Sequence, residues 1–114
     1  RGFRESTFFK KFIDGRRTHE ELRFYTPFDA DFDTVKEFCV EGVIDLIAEG
    51  EAFNLVVDYK TDSVRNPDEH KLQVQTYVRV AEEIFGKKCY GTLFYLRDGR
   101  ACGFWDRDGN NAEL

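Results

Sequence analysis

Several things missing from this 114-residue chain each close off a class of function. No apolar run approaches the roughly 18 residues of a membrane span, and the first residues do not resemble a signal peptide. No G-x-x-x-x-G-K-[ST] phosphate loop is present, so ATP hydrolysis by the helicase route is not expected from these residues. The 3 cysteines, Cys39, Cys89 and Cys102, are an odd number without C-x-x-C spacing. They read as buried free thiols in a reducing compartment rather than a disulfide framework or a zinc site, which makes the expected location cytoplasmic. Positive charge is short too. With 17 basic and 22 acidic residues the net charge is −5, which argues against global electrostatic attachment to nucleic acid. Internal repeats and a dividing linker are also absent, and the length suits one domain that buries about two-thirds of its unfolded surface.

What is present is ordinary globular chemistry with an unusual number of phenylalanines, 12 in all. Residues 4–14 place Phe8, Phe9, Phe12 and Ile13 on one helical face, and Gly15 stops the helix. Glu21 to Phe28 alternates as a strand with Leu22, Phe24 and Thr26 on one side; Pro27 puts its end at a sheet edge or a turn. Residues 29–33 resemble the start of a calcium loop. That pattern requires Gly at 34 and Glu at 40, where Thr34 and Val40 stand, so a solvated acidic turn is expected.

Val35 to Ala48 and Phe53 to Lys60 read as two strands of a hairpin. Alternation puts Phe53, Leu55, Val57 and Tyr59 on one face of the second strand, and Asn54, Val56, Asp58 and Lys60 on the other. A turn centred on Gly50-Glu51 would pair Asp45 with Val56, making Asp45 and Asp58 diagonal neighbours about 7–8 Å apart at Cβ. Two carboxylates at that distance can share one metal ion, and Lys60 follows two residues after the second.

Asn66-Pro67-Asp68-Glu69 is a helix start, with Asn66 as N-cap and Glu69 placed for a capping box. The helix is expected to run to Phe85, stop at Gly86, and bury Leu72, Tyr77, Val78, Ala81, Ile84 and Phe85. Gln73 and Tyr77 lie along one flank of it. Tyr90 to Leu96 and Ala101 to Trp105 form a second hairpin about Asp98-Gly99, and the polar residues from Asp106 onward are expected to fray. The order of elements implies a mixed β-sheet flanked by helices in one α/β domain.

Like charges brought together among apolar residues are costly unless a cation lies between them, which favours a metal site over a chance ion pair at the sheet edge. The extended pattern resembles the nuclease domain of RecB- and AddA-type helicase–nucleases, within the PD-(D/E)XK superfamily. Its carriers are Glu21-Leu22-Arg23-Phe24, Gly42-Val43-Ile44-Asp45, Val57-Asp58-Tyr59-Lys60-Thr61 and the Gln73-x-x-x-Tyr77 helix, over residues 8 to 96. The resemblance implies a restriction-endonuclease-like core across residues 1–114, as a piece of a longer helicase–nuclease. It implies that Asp45, Asp58 and the carbonyl of Tyr59 hold Mg²⁺ or Mn²⁺. Lys60 would then orient or deprotonate the attacking water, or stabilise the scissile phosphate. Gln73 would position Lys60 or contact the DNA backbone, and Tyr77 would support that helix face or touch nucleic acid.

Arg65, His70 and Lys71 are further candidates for DNA contact, and with Lys60, Arg79, Lys87 and Lys88 they suggest a weakly basic face. The family histidine that completes the metal shell has no counterpart here. His19 and His70 stand elsewhere, and the expectation is that the chain begins after the helix carrying that histidine. The cysteine spacing does not match that of iron–sulfur relatives, so no cluster is expected. The implied partner is single-stranded DNA delivered by a helicase motor, with a partner subunit and no membrane. A non-catalytic DNA-binding or subunit scaffold, and a free-standing single-strand exonuclease, are the alternatives.

Overall fold

A computed structural model of the chain describes residues 3–28, 38–61 and 70–114. The acidic turn at 29–33, the capping sequence at 66–69 and Arg65 lie outside the described residues, as do the side chains of Thr26 and Cys39. A 3₁₀ turn, Phe3–Glu5, leads into α1 (Thr7–Phe12), then β1 (Thr18–Phe28), β2 (Phe38–Ala48) and β3 (Asn54–Lys60). α2 (Lys71–Phe85), β4 (Cys89–Tyr95) and β5 (Arg100–Trp105) follow. The strands form one five-stranded sheet in the order β1-β2-β3-β4-β5. Every neighbouring pair is antiparallel except β3 and β4, which run parallel because α2 carries the chain back across the sheet. This is the expected α/β architecture, with Pro27 on the edge strand where its missing N–H costs least.

Each face of the sheet has its own core. On one, α2 packs Val74, Val78 and Ala81 against Ile44, Ile47, Val56, Leu93 and Trp105. Gly91 on β4 makes that approach close: a Cβ there would lie 2.5 Å from Val74 Cγ1 and 2.7 Å from Val78 Cγ2. The helix ends at Gly86, which takes the left-handed conformation (φ 62°) and donates its N–H to the Glu82 carbonyl at 2.8 Å. On the other face α1 is only six residues long, too short to persist on its own. Ser6 caps it, its hydroxyl oxygen accepting from the Phe9 N–H at 3.0 Å. Packing holds it down: Phe3, Phe8, Phe9 and Phe12 gather against Leu46, Leu55, Val57 and Phe94. The abundance of phenylalanine is explained here, since large rings let one and a half turns of helix cover half a sheet.

Two expectations need correction. Leu72 and Ile84 stand in solvent, 63% and 50% exposed, instead of joining the α2 stripe. They flank the Val74–Val78–Ala81 line, and Val80 and Arg79 are buried instead. The chain beyond Trp105 does not fray. It folds back on α2, where Arg79 Nε donates to the Arg107 carbonyl at 3.0 Å and Arg79 Nη2 meets Asp108 Oδ1 at 3.2 Å. Arg107 Nη1 reaches Glu82 Oε1 at 3.2 Å, and Asp106 Oδ1 accepts from the N–H groups of Asp108 and Asn110 at 2.9 Å each. Polar side chains that suggest fraying are here used as clamps.

Candidate active site

The site begins at an irregularity shared by β1 and β2. Before it, Glu20 and Leu46 border the α1 side; after it, Leu22, Phe24 and Ile44 pack under α2. Residues two apart should share a face, so both strands change face between those positions. The register runs Glu20↔Leu46 and Leu22↔Ile44, and the pair between them, Glu21 with Asp45, is missing. Glu21 has φ 52°, a left-handed conformation that a glutamate adopts at a cost. The face switch turns Asp45 towards β3.

β2 and β3 stay paired only at Leu46↔Val57, Ile47↔Val56 and Ala48↔Leu55. The pairing differs from the expected one by two residues, because the connection spans residues 49–53 and is centred later than Gly50-Glu51. Continuing the observed count brings Asp45 directly across from Asp58 instead of diagonal to it. The strands part at that point into a fork. The Asp45 carboxylate fills the gap, its Oδ2 accepting the Tyr59 backbone N–H at 2.8 Å.

Asp58 lies in the fork with only 6% of its surface exposed. Its carboxyl is pushed up from 3.8 to about 6, first by burial and then by the Asp45 carboxylate, with Lys60 opposing. Lys60 Nζ is 3.3 Å from Asp58 Oδ2, close enough for an ion pair but not aligned for a hydrogen bond, which leaves that buried oxygen without one. The same ammonium donates to Gln73 Oε1 at 3.3 Å, and Gln73 Nε2 donates to Tyr77 Oη at 3.2 Å. Lysine has only donors, so the glutamine must turn its oxygen towards Lys60, and its amide then fixes Tyr77. The expected set Asp45, Asp58, Lys60, Gln73 and Tyr77 therefore forms one connected chain.

Burial and the nearby Asp58 and Asp45 carboxylates raise the Tyr77 phenol above its usual value; burial, Glu20 and Asp45 push that of Tyr59 up to about 12. Both phenols therefore stay protonated at neutral pH. A buried carboxylate oxygen without a hydrogen bond, facing a second carboxylate, fits a divalent cation held by Asp45, Asp58 and a nearby main-chain carbonyl such as that of Tyr59. Among the described residues, no group of three or more His, Cys, Asp and Glu side chains converges on one point. Two carboxylates supplemented by water are a usual protein share of a Mg²⁺ shell.

Two supports were readable only as motif letters. The Phe24 ring meets Tyr77 edge-on, centroids 5.8 Å apart. Gly42 makes room for both: a Cβ there would lie 3.1 Å from Phe24 Cζ and 3.7 Å from Tyr77 Cε1. The final aromatic of Glu21-x-x-Phe24 and the glycine of Gly42-x-x-Asp45 thus position the tyrosine.

Of the residues expected to form a basic face, Lys60 belongs to this chain of residues and several of the other described ones are engaged elsewhere. Arg79 is buried beneath the C-terminal segment, Lys87 donates to the Gly50 carbonyl at the loop end of the β2–β3 hairpin, and Lys88 lies over the Tyr90 ring. Lys71 turns towards Gly109, its Cε 3.3 Å from where a Cβ on that glycine would stand. His70 takes the N-cap position of α2 without a side-chain cap bond. His19 pairs with Glu49 at 2.6 Å on β1, close to the hairpin loop.

Comparison with known proteins gives two findings. Residues 4–103 match the family model of the PD-(D/E)XK nuclease superfamily. Over 58 residues, 51% of this chain, the sequence is 33% identical to the CRISPR-associated exonuclease Cas4 of Francisella tularensis subsp. novicida (strain U112). The matched stretch makes up 30% of that relative, so the chain spans about a third of its length.

Proposed function

Because the chain belongs to the PD-(D/E)XK nuclease superfamily, we propose that it is a Mg²⁺- or Mn²⁺-dependent deoxyribonuclease that hydrolyses phosphodiesters at the β2–β3 fork. The observation that carries this reading is the buried Asp58 oxygen, without a hydrogen bond, beside Asp45 and 3.3 Å from the Lys60 ammonium. Asp45 and Asp58, with the Tyr59 carbonyl, would hold the ion. When bound, the ion supplies Lewis acidity, making water more acidic and offsetting charge on the phosphoryl oxygens.

The protein's own groups do the positioning. Asp45 is fixed by the Tyr59 N–H, so its carboxylate cannot swing away from the fork. Lys60 is held between Asp58 and Gln73, leaving its remaining N–H for an attacking water or a phosphate oxygen. Gln73 serves that placement, and Tyr77 anchors Gln73. His70 and Lys71, at the start of α2, and Arg65, which lies outside the described residues, belong to the proposed DNA contacts as basic residues that follow Lys60 in sequence.

Within the superfamily the module fits two settings, the nuclease part of a helicase–nuclease in recombination and break repair, and a free-standing exonuclease. The likeness to a CRISPR-associated exonuclease fits the second setting as well as the first. The test is degradation of labelled single-stranded DNA with Mg²⁺ or Mn²⁺, with Asp58→Ala beside the wild type. Cutting lost in the variant supports the reading. A wild type that neither cuts DNA nor gains melting temperature from Mn²⁺ overturns it in favour of a binding scaffold.

A further inference from the structure

A cavity of about 560 Å³ opens on the α1 face of the sheet, away from α2. Its walls include Phe3, Arg4, Phe9, Glu20 and Tyr59. Tyr59 joins it to the fork, because its main chain lies between Asp58 and Lys60 and donates to Asp45 while its ring forms part of the cavity wall. β2 and β3 part beyond Leu46↔Val57, so the two faces of the sheet meet at this point. The wall chemistry is aromatic and mixed in charge. Phe3 meets both Phe9 and Tyr59 edge-on, centroids 5.2 and 5.1 Å apart, and the Arg4 guanidinium lies 5.5 Å above the Phe9 ring. Glu20 adds an exposed carboxylate.

We propose that this cavity receives a nucleobase of single-stranded DNA, the one neighbouring the phosphodiester held at the fork. This assignment rests on the nuclease reading and extends it to how the strand is held. Rings offer a stacking surface to any base, and a cation stacked on such a ring adds to it. The Glu20 carboxylate accepts from the exocyclic amines of adenine, cytosine or guanine and repels a bare phosphate. Arg4, at the exposed rim, takes the backbone phosphate that follows. The arrangement also accounts for how a chain with net charge −5 grips a polyanion: through bases, with few phosphate contacts.

The test is fluorescence anisotropy of a labelled dA₈ strand and of the same strand with one abasic position scanned along it, without divalent metal so that nothing is cut. One abasic position should weaken wild-type binding by about 5-fold or more, the scale of one stacked base. Phe9→Leu, which keeps an apolar side chain without the ring, should weaken intact dA₈ to the same extent and lose little more with the abasic strand. Arg4→Gln, a surface change, should weaken both strands and flatten the salt dependence; melting temperatures establish that both variants are folded. Intact dA₈ bound equally by wild type and both variants overturns the proposal. So does a Phe9→Leu loss that is the same for intact and abasic strands. Because the readout is binding without metal, failure here is separate from failure of Asp58-dependent cutting.

Discussion

The two ends of the β2–β3 hairpin are built from the same strands and behave in opposite ways. Towards the loop, Leu46, Ile47, Ala48, Leu55, Val56 and Val57 are at most 1% exposed and hold a regular ladder. The connection there is tied down as well: Asn54 Oδ1 accepts from the Gly50 N–H at 3.2 Å, and the Glu49 N–H reaches the Arg17 carbonyl at 2.8 Å. One residue further on, the ladder stops, two acids face one another, and a buried oxygen has no hydrogen bond. Stability is concentrated at one end so that electrostatic strain can persist at the other. The aliphatic end fixes where the aspartates stand, and the fork leaves their charge unbalanced.

Substitutions at either end would sharpen that contrast. The largest effect should come at the fork: Asp58→Ala or Lys60→Ala should reduce metal-dependent cleavage by on the order of 10²–10³-fold or more, with the cooperative melt retained. At the ladder end, Ile47→Ala should cost about 2–5 kcal/mol in denaturant unfolding while cleavage persists in the fraction still folded. A collapse of cleavage with no loss of stability would show that the two ends are not divided in this way.

The metal-free protein should also reveal the cost of the fork. Asp58 binds its proton more tightly when folded (about 6) than when unfolded (3.8), so the neutral acid favours the folded state. That contribution is complete below about pH 4 and disappears as pH rises through about 6, at a cost on the order of 3 kcal/mol. Asp58→Asn should therefore raise the metal-free melting temperature at pH 7 and flatten its change between pH 4 and 6. A wild-type melting temperature that instead rises over that interval would mean the carboxylate is compensated when folded. Asp45→Ala should gain less, because removing its repulsion also leaves the Tyr59 N–H without its acceptor. The smallest effect belongs to Gln73→Ala: about a 10-fold loss of cleavage, with stability within about 0.5 kcal/mol by thermal melt.

The sequence made the content of the site legible and its mechanics only partly so. A strand has a side-chain period of two, so Asp58 and Lys60 had to share a face, and any even shift of register keeps Asp45 and Asp58 together. The exact pairing depended on a five-residue connection, 49–53, that residue types do not specify. The face switch at Glu21 and Asp45 leaves no compositional trace, since a glutamate at φ 52° looks like any other in a list of residues. Hydrophobicity alone places Leu72 and Ile84 in the core, but burial on α2 depends on what covers it. The C-terminal segment covers the Arg79 flank, a docking that polar residues 106–110 do not advertise. Clustering in sequence likewise does not reveal that Arg79 is buried beneath the C-terminal segment and that Lys87 is tied to the hairpin loop.

The crossover from β3 through α2 to β4 has a consequence for the order in which the protein is made. Every side chain in the connected chain of polar groups lies between Asp45 and Tyr77, and all of them leave the ribosome before β4. Yet β2 pairs with β3 only up to Val57, so the stretch that carries Asp58 and Lys60 gains a strand partner only when Cys89–Tyr95 arrives beside it, pairing Asp58 with Leu93 and Lys60 with Tyr95. At about 5–20 residues per second the interval lasts on the order of seconds. During it, a nascent chain holds every polar group of the site with only half of its frame, the β2–β3 ladder, and the apolar edge of β3 is open to wrong partners. Premature termination before β4 would therefore yield the residues of a nuclease without its geometry.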